Sequence, residues 1–349
     1  MIGTGWWATY AHLPALMNNP RAEVVGIADS SPERLAQAGE HFGIANQFTD
    51  YHALLDRDDL DGVIVATSHQ AHYDVAADVL KRGLALMLEK PMVLRARQAR
   101  DLVRLAEEHH APLVIGYPYH FVDQHAALRA RIAEGALGKI QLTHALFASM
   151  VLEYYRANPQ AYAEVFQWQV TGPQATTYSE PSVAGGGQGH LQVTHSAALL
   201  LWLTDLRPLE VAAFLEGFEL KVDLCDAISV RFDGGAVGSL SSTGGIPTAQ
   251  NAHQQLEIRL YGSEGYALLD PMAGTCSIFR NDGSIERLPE VPAERRYPLE
   301  TTSRHLVELI VDPGATNRSN GEVGARTVEL LEAAYRSAAE RRVVSVGEL

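Results

Sequence analysis

Three short stretches of this chain carry residue types that could do chemistry together. Glu89-Lys90-Pro91 sets a cation beside a proline that fixes its backbone, and a lysine so held can polarise a substrate oxygen. Gly185-Gly186-Gly187-Gln188-Gly189-His190-Leu191-Gln192-Val193-Thr194-His195 runs from a glycine-rich turn into an apolar helix. His195, near that helix start, can exchange a proton with a bound hydroxyl close to neutral pH. Gly3-Thr4-Gly5-Trp6-Trp7-Ala8 has the spacing of a turn that cradles a dinucleotide pyrophosphate. Asp29 follows at the end of the next expected strand, where a carboxylate can accept from the adenine ribose hydroxyls. Such a carboxylate repels a 2'-phosphate, so NAD is expected rather than NADP. Singly, each stretch has a plainer reading: a surface turn for Glu89-Lys90-Pro91, a helix cap for Asp29, a buried structural imidazole for His195. His190 and His195 are five apart and would not share a helix face, and no third ligand accompanies them, so no metal site is expected.

The elements that must position these residues are legible as period changes. Glu23 to Ala28 reads as a strand, and Ser30-Ser31-Pro32-Glu33 opens a helix with a cap, a first-turn proline and a capping-box glutamate. Gly62 to Ala66 is a buried run, followed by helix Ala71 to Arg82, strand Leu84 to Leu88, helix Arg95 to His109 and strand Leu113 to Ile115. Short apolar strands alternating with crossover helices predict a parallel, doubly wound sheet, with Lys90 at its carboxyl edge where ligands of open α/β folds sit. After Tyr117 the texture changes. A helix over Asp123 to Glu134 leads to an extended segment, Lys139 to Leu152. Strands over Ala227 to Phe232, Ala236 to Ser241, Leu256 to Tyr261 and Tyr266 to Leu269 are then separated by Asp-Gly-Gly and Gly-Ser-Glu-Gly turns. This predicts a second, mainly antiparallel α+β domain, closed by a helix over Gly324 to Arg341 and a strand over Val343 to Val346. The boundary is drawn between 118 and 119. The stretch from Asn158 to Gly189, rich in Gln, Thr, Pro and Gly, reads as a long functional loop.

Composition bounds the alternatives. The 349 residues, 46% of them hydrophobic, suffice for two cores, and a net charge of -14 argues against nucleic acid or an anionic membrane as the partner. Cys225 and Cys276 have neither metal spacing nor disulfide density, which fits a reducing cytoplasm. The longest apolar run, Ala197 to Leu203, is far below the roughly 20 residues that span a bilayer.

Taken in order, these motifs resemble the Gfo/Idh/MocA family, that of glucose-fructose oxidoreductase, inositol dehydrogenase and rhizopine catabolism. The likeness rests on Gly3-Thr4-Gly5, Ala28-Asp29, Ala66-Thr67-Ser68-His69-Gln70-Ala71-His72, Glu89-Lys90-Pro91, Gly116-Tyr117-Pro118-Tyr119-His120-Phe121, Gly135-Ala136-Leu137-Gly138-Lys139-Ile140, and Gly185-Gly186-Gly187 ahead of His195. It implies a Rossmann domain followed by an α/β domain whose open sheet joins subunits as a homodimer or homotetramer. It also implies NAD(P)-linked oxidation or reduction of sugars, cyclitols and related polyols. Carried onto this chain, Gly3, Gly5, Trp6, Trp7, Asp29, Thr67, Ser68, His72, Glu89 and Lys90 are the expected cofactor contacts, and Lys90 lies by the nicotinamide. Lys90 and His195 are the expected catalytic pair. Tyr119, Trp168, Gln188, His190 and Gln192 are the expected substrate contacts. Departures are Leu191 where the family carries an aspartate four residues before the histidine, Ser68 where proline is common, and His120 where arginine is. The resemblance also implies more apolar residues before Gly3, so the first strand of the sheet is largely missing. Two other readings stay open: a redox-neutral glycoside hydrolase or lyase that uses NAD transiently, and a non-catalytic sensor of NAD or sugar.

Overall fold

Apolar runs too short for helices and flanked by turn residues pair as strands, and five of them build the first sheet of the computed structural model, which describes residues 1–247 and 254–349. These are β1 (Ile27–Ala28), β2 (Gln47–Phe48), β3 (Gly62–Val65), β4 (Ala85–Leu88) and β5 (Leu113–Ile115). β1 pairs parallel with β2, and β3, β4 and β5 pair parallel in that order. Ile2 bridges the two sets, facing Ala28 on one side and Val65 on the other. The backbone bonds Ile2 N to Ile64 O and Gly3 N to Ala28 O, both 2.8 Å, seat it there. The first strand is thus reduced to one bridging residue, yet it pairs on both sides. Of the expected strand 23–28 only Ile27–Ala28 is paired as a strand. Val25 O is taken by the Asn46 side chain and Gly26 O by the Met1 amino nitrogen instead of by a strand.

Helices cover both faces. Ser31 caps helix Pro32–Phe42 by accepting from Arg34 N at 3.3 Å, and Gly43, at φ 68°, ends it. Helices His72–Lys81 and Ala96–Glu108 pack into the core formed by β3, β4 and β5. On the opposite face, helix Thr301–Val311 returns from late in the chain to lie on the same three strands.

The second sheet holds β6 (Ile140–Ala148), β7 (Pro208–Glu216), β8 (Cys225–Phe232), β9 (Val237–Thr243), β10 (Gln255–Gly262), β11 (Gly265–Asp270), β12 (Thr275–Arg280), β13 (Ile285–Arg287) and β14 (Val344–Ser345). Their order is β13-β12-β11-β10-β6-β9-β8-β7-β14, antiparallel throughout except for the central β6–β9 pair. Helix Thr194–Thr204 is apolar on every side over Ala197 to Leu203 and is buried up to Leu203 between this sheet and helices Asp123–Ala133 and Gly321–Glu340. Gly321–Glu340 packs on β7 and on Ala96–Glu108, so it ties the two sheets together. Among the described residues no helix lies on the other face of the large sheet, and Leu142, Val237, Tyr266, Leu268 and an 80% exposed Phe214 lie there. The segment expected as a long loop, 158–189, folds into short helical turns at Pro159–Tyr162, Ala163–Phe166, Thr176–Ser179 and Pro181–Ala184.

Candidate active site

The glycine turn follows Ile2 directly, and its two glycines answer different demands. Gly3 sits at φ 89°, and a Cβ there would fall 2.4 Å from Ala66 O, so backbone packing alone requires glycine. At Gly5 nothing lies within 4 Å of a would-be Cβ, which leaves above the backbone the open space a pyrophosphate needs. Asp29, at the end of β1, accepts from Thr4 N and Ser31 N, both at 2.8 Å, and from Arg34 Nη2 at 2.6 Å. Burial pushes its pKa up, but the Arg34 bond and the two backbone N–H groups outweigh that and hold it below the ordinary carboxylate range. A groove of about 640 Å³ runs past Gly3, Gly5, Trp6, Trp7, Asp29, Arg34, Thr67 and Ser68. Its outer wall is Gly172, Pro173, Gln174 and Tyr178, from the folded 158–189 segment.

At the carboxyl end of β4, Glu89 is buried and fully engaged. Its Oε1 accepts from Trp7 Nε1 at 3.0 Å and His12 Nε2 at 2.8 Å, and its Oε2 from Lys90 N at 2.9 Å. Burial again pushes the carboxyl up, and the His12 bond with the neighbouring Lys90 brings it below its usual range. Lys90, before a cis peptide to Pro91, donates Nζ to Leu191 O at 3.2 Å. Burial lowers its pKa while Glu89 opposes. His195 stands edge-on to the rings of Tyr119, Phe147 and Tyr297, with Nδ1 sealed off and unpartnered. Burial first, then the Lys90 charge, pushes its pKa well below the ordinary value, so the ring is neutral. Lys90 and His195 line one cavity of about 850 Å³. A neutral imidazole and an ammonium facing the same space can take a proton from a hydroxyl and steady the oxygen left behind.

The glycine-rich run Gly185–Gly189 is not a second anion cradle. Asp223 accepts from Gly187 N and Gly189 N, both at 2.7 Å, and from Tyr335 Oη at 2.9 Å. A Cβ on Gly187 would meet Asp223 O at 2.1 Å, and one on Gly186 would meet Tyr335 Oη at 2.3 Å. These glycines are small so that the turn can close on Asp223, and the turn in turn launches the π-helical stretch Gly189–Val193 that carries Leu191 O to Lys90. Asp226 lies beside Asp223, buried, with no donor for either oxygen. Burial and the Asp223 charge push its pKa up to about 9, so it is protonated and can itself donate to Asp223.

Among the sequence-derived substrate contacts, Tyr119 and Gln192 line the cavity with Lys90 and His195. Three others do not. Gln188 is buried in bonds to Tyr155, Ser149 and Ser242, His190 stacks on Tyr335, and Trp168 packs beneath Gly172. In each case the turn that Asp223 closes, or the folding of 158–189, directs the side chain into protein. Among the cofactor candidates, His72 does not offer a free nitrogen: its two ring nitrogens face Pro91 O and Thr67 O, at 2.9 and 3.2 Å, and so link the two turns. Residues that sequence reasoning missed include Tyr178, Tyr297 and Arg296 of the cavity, Arg34 of the groove, and His12 behind Glu89. Arg34 could have been found from its place one turn into the helix after Asp29. Tyr297 and Arg296 lie in an irregular stretch with no motif.

A glycine turn at the head of a parallel sheet, a groove across its carboxyl edge and a cavity roofed by a second sheet define a dinucleotide-binding α/β protein with a second, α+β domain attached. Residues 1–117 match the profile described as oxidoreductase family, NAD-binding Rossmann fold, and residues 125–268 match the GFO/IDH/MocA C-terminal domain. The chain belongs to the Gfo/Idh/MocA family of NAD-binding oxidoreductases. It is 24% identical over 267 residues to levoglucosan dehydrogenase of Pseudarthrobacter phenanthrenivorans, covering 68% of this chain and 63% of that one. It is 24% identical over 338 residues to 1,5-anhydro-D-fructose reductase of Ensifer adhaerens, covering 93% of this chain and 91% of that one. In fold it is similar to an oxidoreductase from Agrobacterium radiobacter crystallised with NAD+, L-tartaric acid and magnesium, with TM-score 0.79 and 20% identity over 99% of this chain and 97% of that one. Among the described residues no helix is long and apolar enough to cross a membrane, and no group of three or more His, Cys, Asp or Glu could hold a metal ion.

Proposed function

We propose that this protein is an NAD-dependent oxidoreductase acting on a CH–OH group of a sugar, cyclitol or related polyol. The observation that carries the reading is the meeting of Lys90 and a neutral His195 in one cavity that opens beside the Gly3–Gly5 groove. Gly3, Gly5, Asp29, Thr67 and Ser68 would hold NAD, since Gly5 leaves room for the pyrophosphate and Asp29 ends the strand beside it. The chemistry NAD supplies when bound is acceptance of a hydride from the carbinol carbon. His195 takes the hydroxyl proton on Nε2, because Nδ1 is shut away from the cavity. Lys90, held by Leu191 O and offset by Glu89, stabilises the developing alkoxide through Nζ. In the reverse direction the same two residues serve ketone reduction. Residues 1–118 form the cofactor unit and 119–349 the substrate unit, with Tyr119 and Gln192 as substrate contacts. The names of the relatives support a carbohydrate substrate, and the carboxylate at Asp29 supports NAD over NADP. A second copy covers the bare face of the large sheet, making a homodimer or homotetramer, and the free cysteines suit a cytoplasmic location. The test is NADH formation from NAD over a panel of sugars, cyclitols and sugar acids. Production from at least one class supports the reading, and products released from glycosides without net NADH would replace it with the redox-neutral one.

A further inference from the structure

The cavity is two-sided at the point where Lys90 and His195 meet. Lys90 Nζ rests on Leu191 O, and His195 lies one helical turn beyond Leu191. A substrate oxygen held between Lys90 and His195 therefore has residue 191 directly alongside. Leu191 packs with Val151 and Tyr154, and Phe166 and Tyr178 join the same cluster. Trp6 extends that surface, with its ring 5.3 Å from Phe166. Tyr154 adds only its ring, because its hydroxyl is buried and sealed from the cavity. Among the described residues the side chains of Leu191, Val151 and Tyr154 offer a hydroxyl no partner; the Tyr178 hydroxyl, which accepts from Trp6 Nε1 at 2.9 Å, bounds this patch, and Tyr119, Tyr297, Arg296 and Asp270 lie elsewhere on the lining.

We infer that Leu191 is a specificity-determining residue, and that it selects cyclic polyols or sugars whose edge beside the reacting carbon is C–H or ether, deoxy or anhydro compounds, over fully hydroxylated ones. This rests on the dehydrogenase reading given above and names the substrate class for it. A hydroxyl pressed against Leu191, Val151 and the Tyr154 ring loses its water partners and gains none. A pocket of this kind separates such pairs by about tenfold to a hundredfold in kcat/KM.

Matched probes test it: a hexopyranose with each of its monodeoxy forms and with its anhydro form, assayed with NAD on wild type, Leu191→Asn and Leu191→Met. For at least one ring position the wild type should favour the deoxy or anhydro member by about tenfold or more. Leu191→Met should keep that preference, and Leu191→Asn should abolish or invert it. Equal or better use of the hydroxylated member of every pair, with NADH still forming, overturns the inference and leaves the dehydrogenase reading intact. If no probe yields NADH, the dehydrogenase reading itself has failed. Calorimetric binding of the same pairs to the NAD-loaded protein then decides: tighter binding of deoxy or anhydro members supports the role of Leu191, and equal, weaker or no binding overturns it.

Discussion

At the scale of single residues, the site is a set of charges held in burial by specific partners. Glu89 stays ionised inside the protein because His12, Trp7 and the Lys90 N–H converge on it, and its charge in turn favours the ammonium of Lys90. Asp29 shows the same logic with a consequence for cofactor choice. Its carboxylate occupies Arg34 at the groove edge, so Asp29→Ser would both remove the repulsion of a 2'-phosphate and free a guanidinium to bind one. Calorimetric titration of NAD and NADP should show preference moving toward NADP by about tenfold, for one or two charge-assisted bonds. An unchanged ratio would mean the ribose lies elsewhere. The Asp29, Lys90 and His195 positions were legible in the sequence because each follows a recognisable strand or turn. His12 and Tyr297 were not, since their roles arise only when distant segments pack, and neither carries a local signal.

At the scale of elements, the glycine-rich turn is the least transparent part of the sequence and one of the most constrained parts of the fold. Glycines before a helix read equally well as an anion cradle or as a tight packing turn, and only the position of Asp223, on the far side of the chain, decides for packing. For the same reason Gln188 and His190, attractive as ligand contacts beside that turn, turn inward. Of the strands of the large sheet, β6, β8, β9, β10, β11 and β14 were legible in the sequence, whereas β7, β12 and β13 were not singled out, nor was the parallel joining of β6 and β9, which no local pattern encodes. The segment 158–189 lacked periodicity because its helical turns are each too short to show one. The Asp223–Asp226 pair predicts a pH effect. The folded-state pKa of Asp226 is raised to about 9, so between about pH 4, where the unfolded carboxyl ionises, and pH 9 the unfolded state loses a proton the folded state keeps. Stability from this group is full below that window and falls as pH rises. Asp226→Asn should therefore gain in Tm over the wild type increasingly from pH 5 to pH 8. A difference independent of pH would show that Asp226 is not held protonated.

At the scale of the whole molecule, one helix, Gly321–Glu340, packs against both sheets, and helix Thr301–Val311 closes the first sheet with late sequence, so the two units fold around a shared back. The large sheet leaves one face bare, with Leu142 and Leu268 exposed on it. If a second copy covers that face, Leu142→Glu together with Leu268→Glu should convert the wild-type oligomer to monomer in sedimentation velocity with little change in monomer fold, as surface substitutions rarely move stability by more than about 0.5 kcal/mol. A persistent oligomer would put the interface elsewhere. The central claim is that Lys90 and His195 do the chemistry while the Gly3–Gly5 groove does the binding. The most direct measurement is turnover and NAD affinity of Lys90→Met, each against wild type, with a polyol that gives NADH. The expected result is NAD binding within a few-fold of wild type and turnover reduced by about a hundredfold or more, as loss of one charge-stabilising donor at a reacting oxygen produces. Turnover near the wild-type rate, with binding intact, would contradict the assignment.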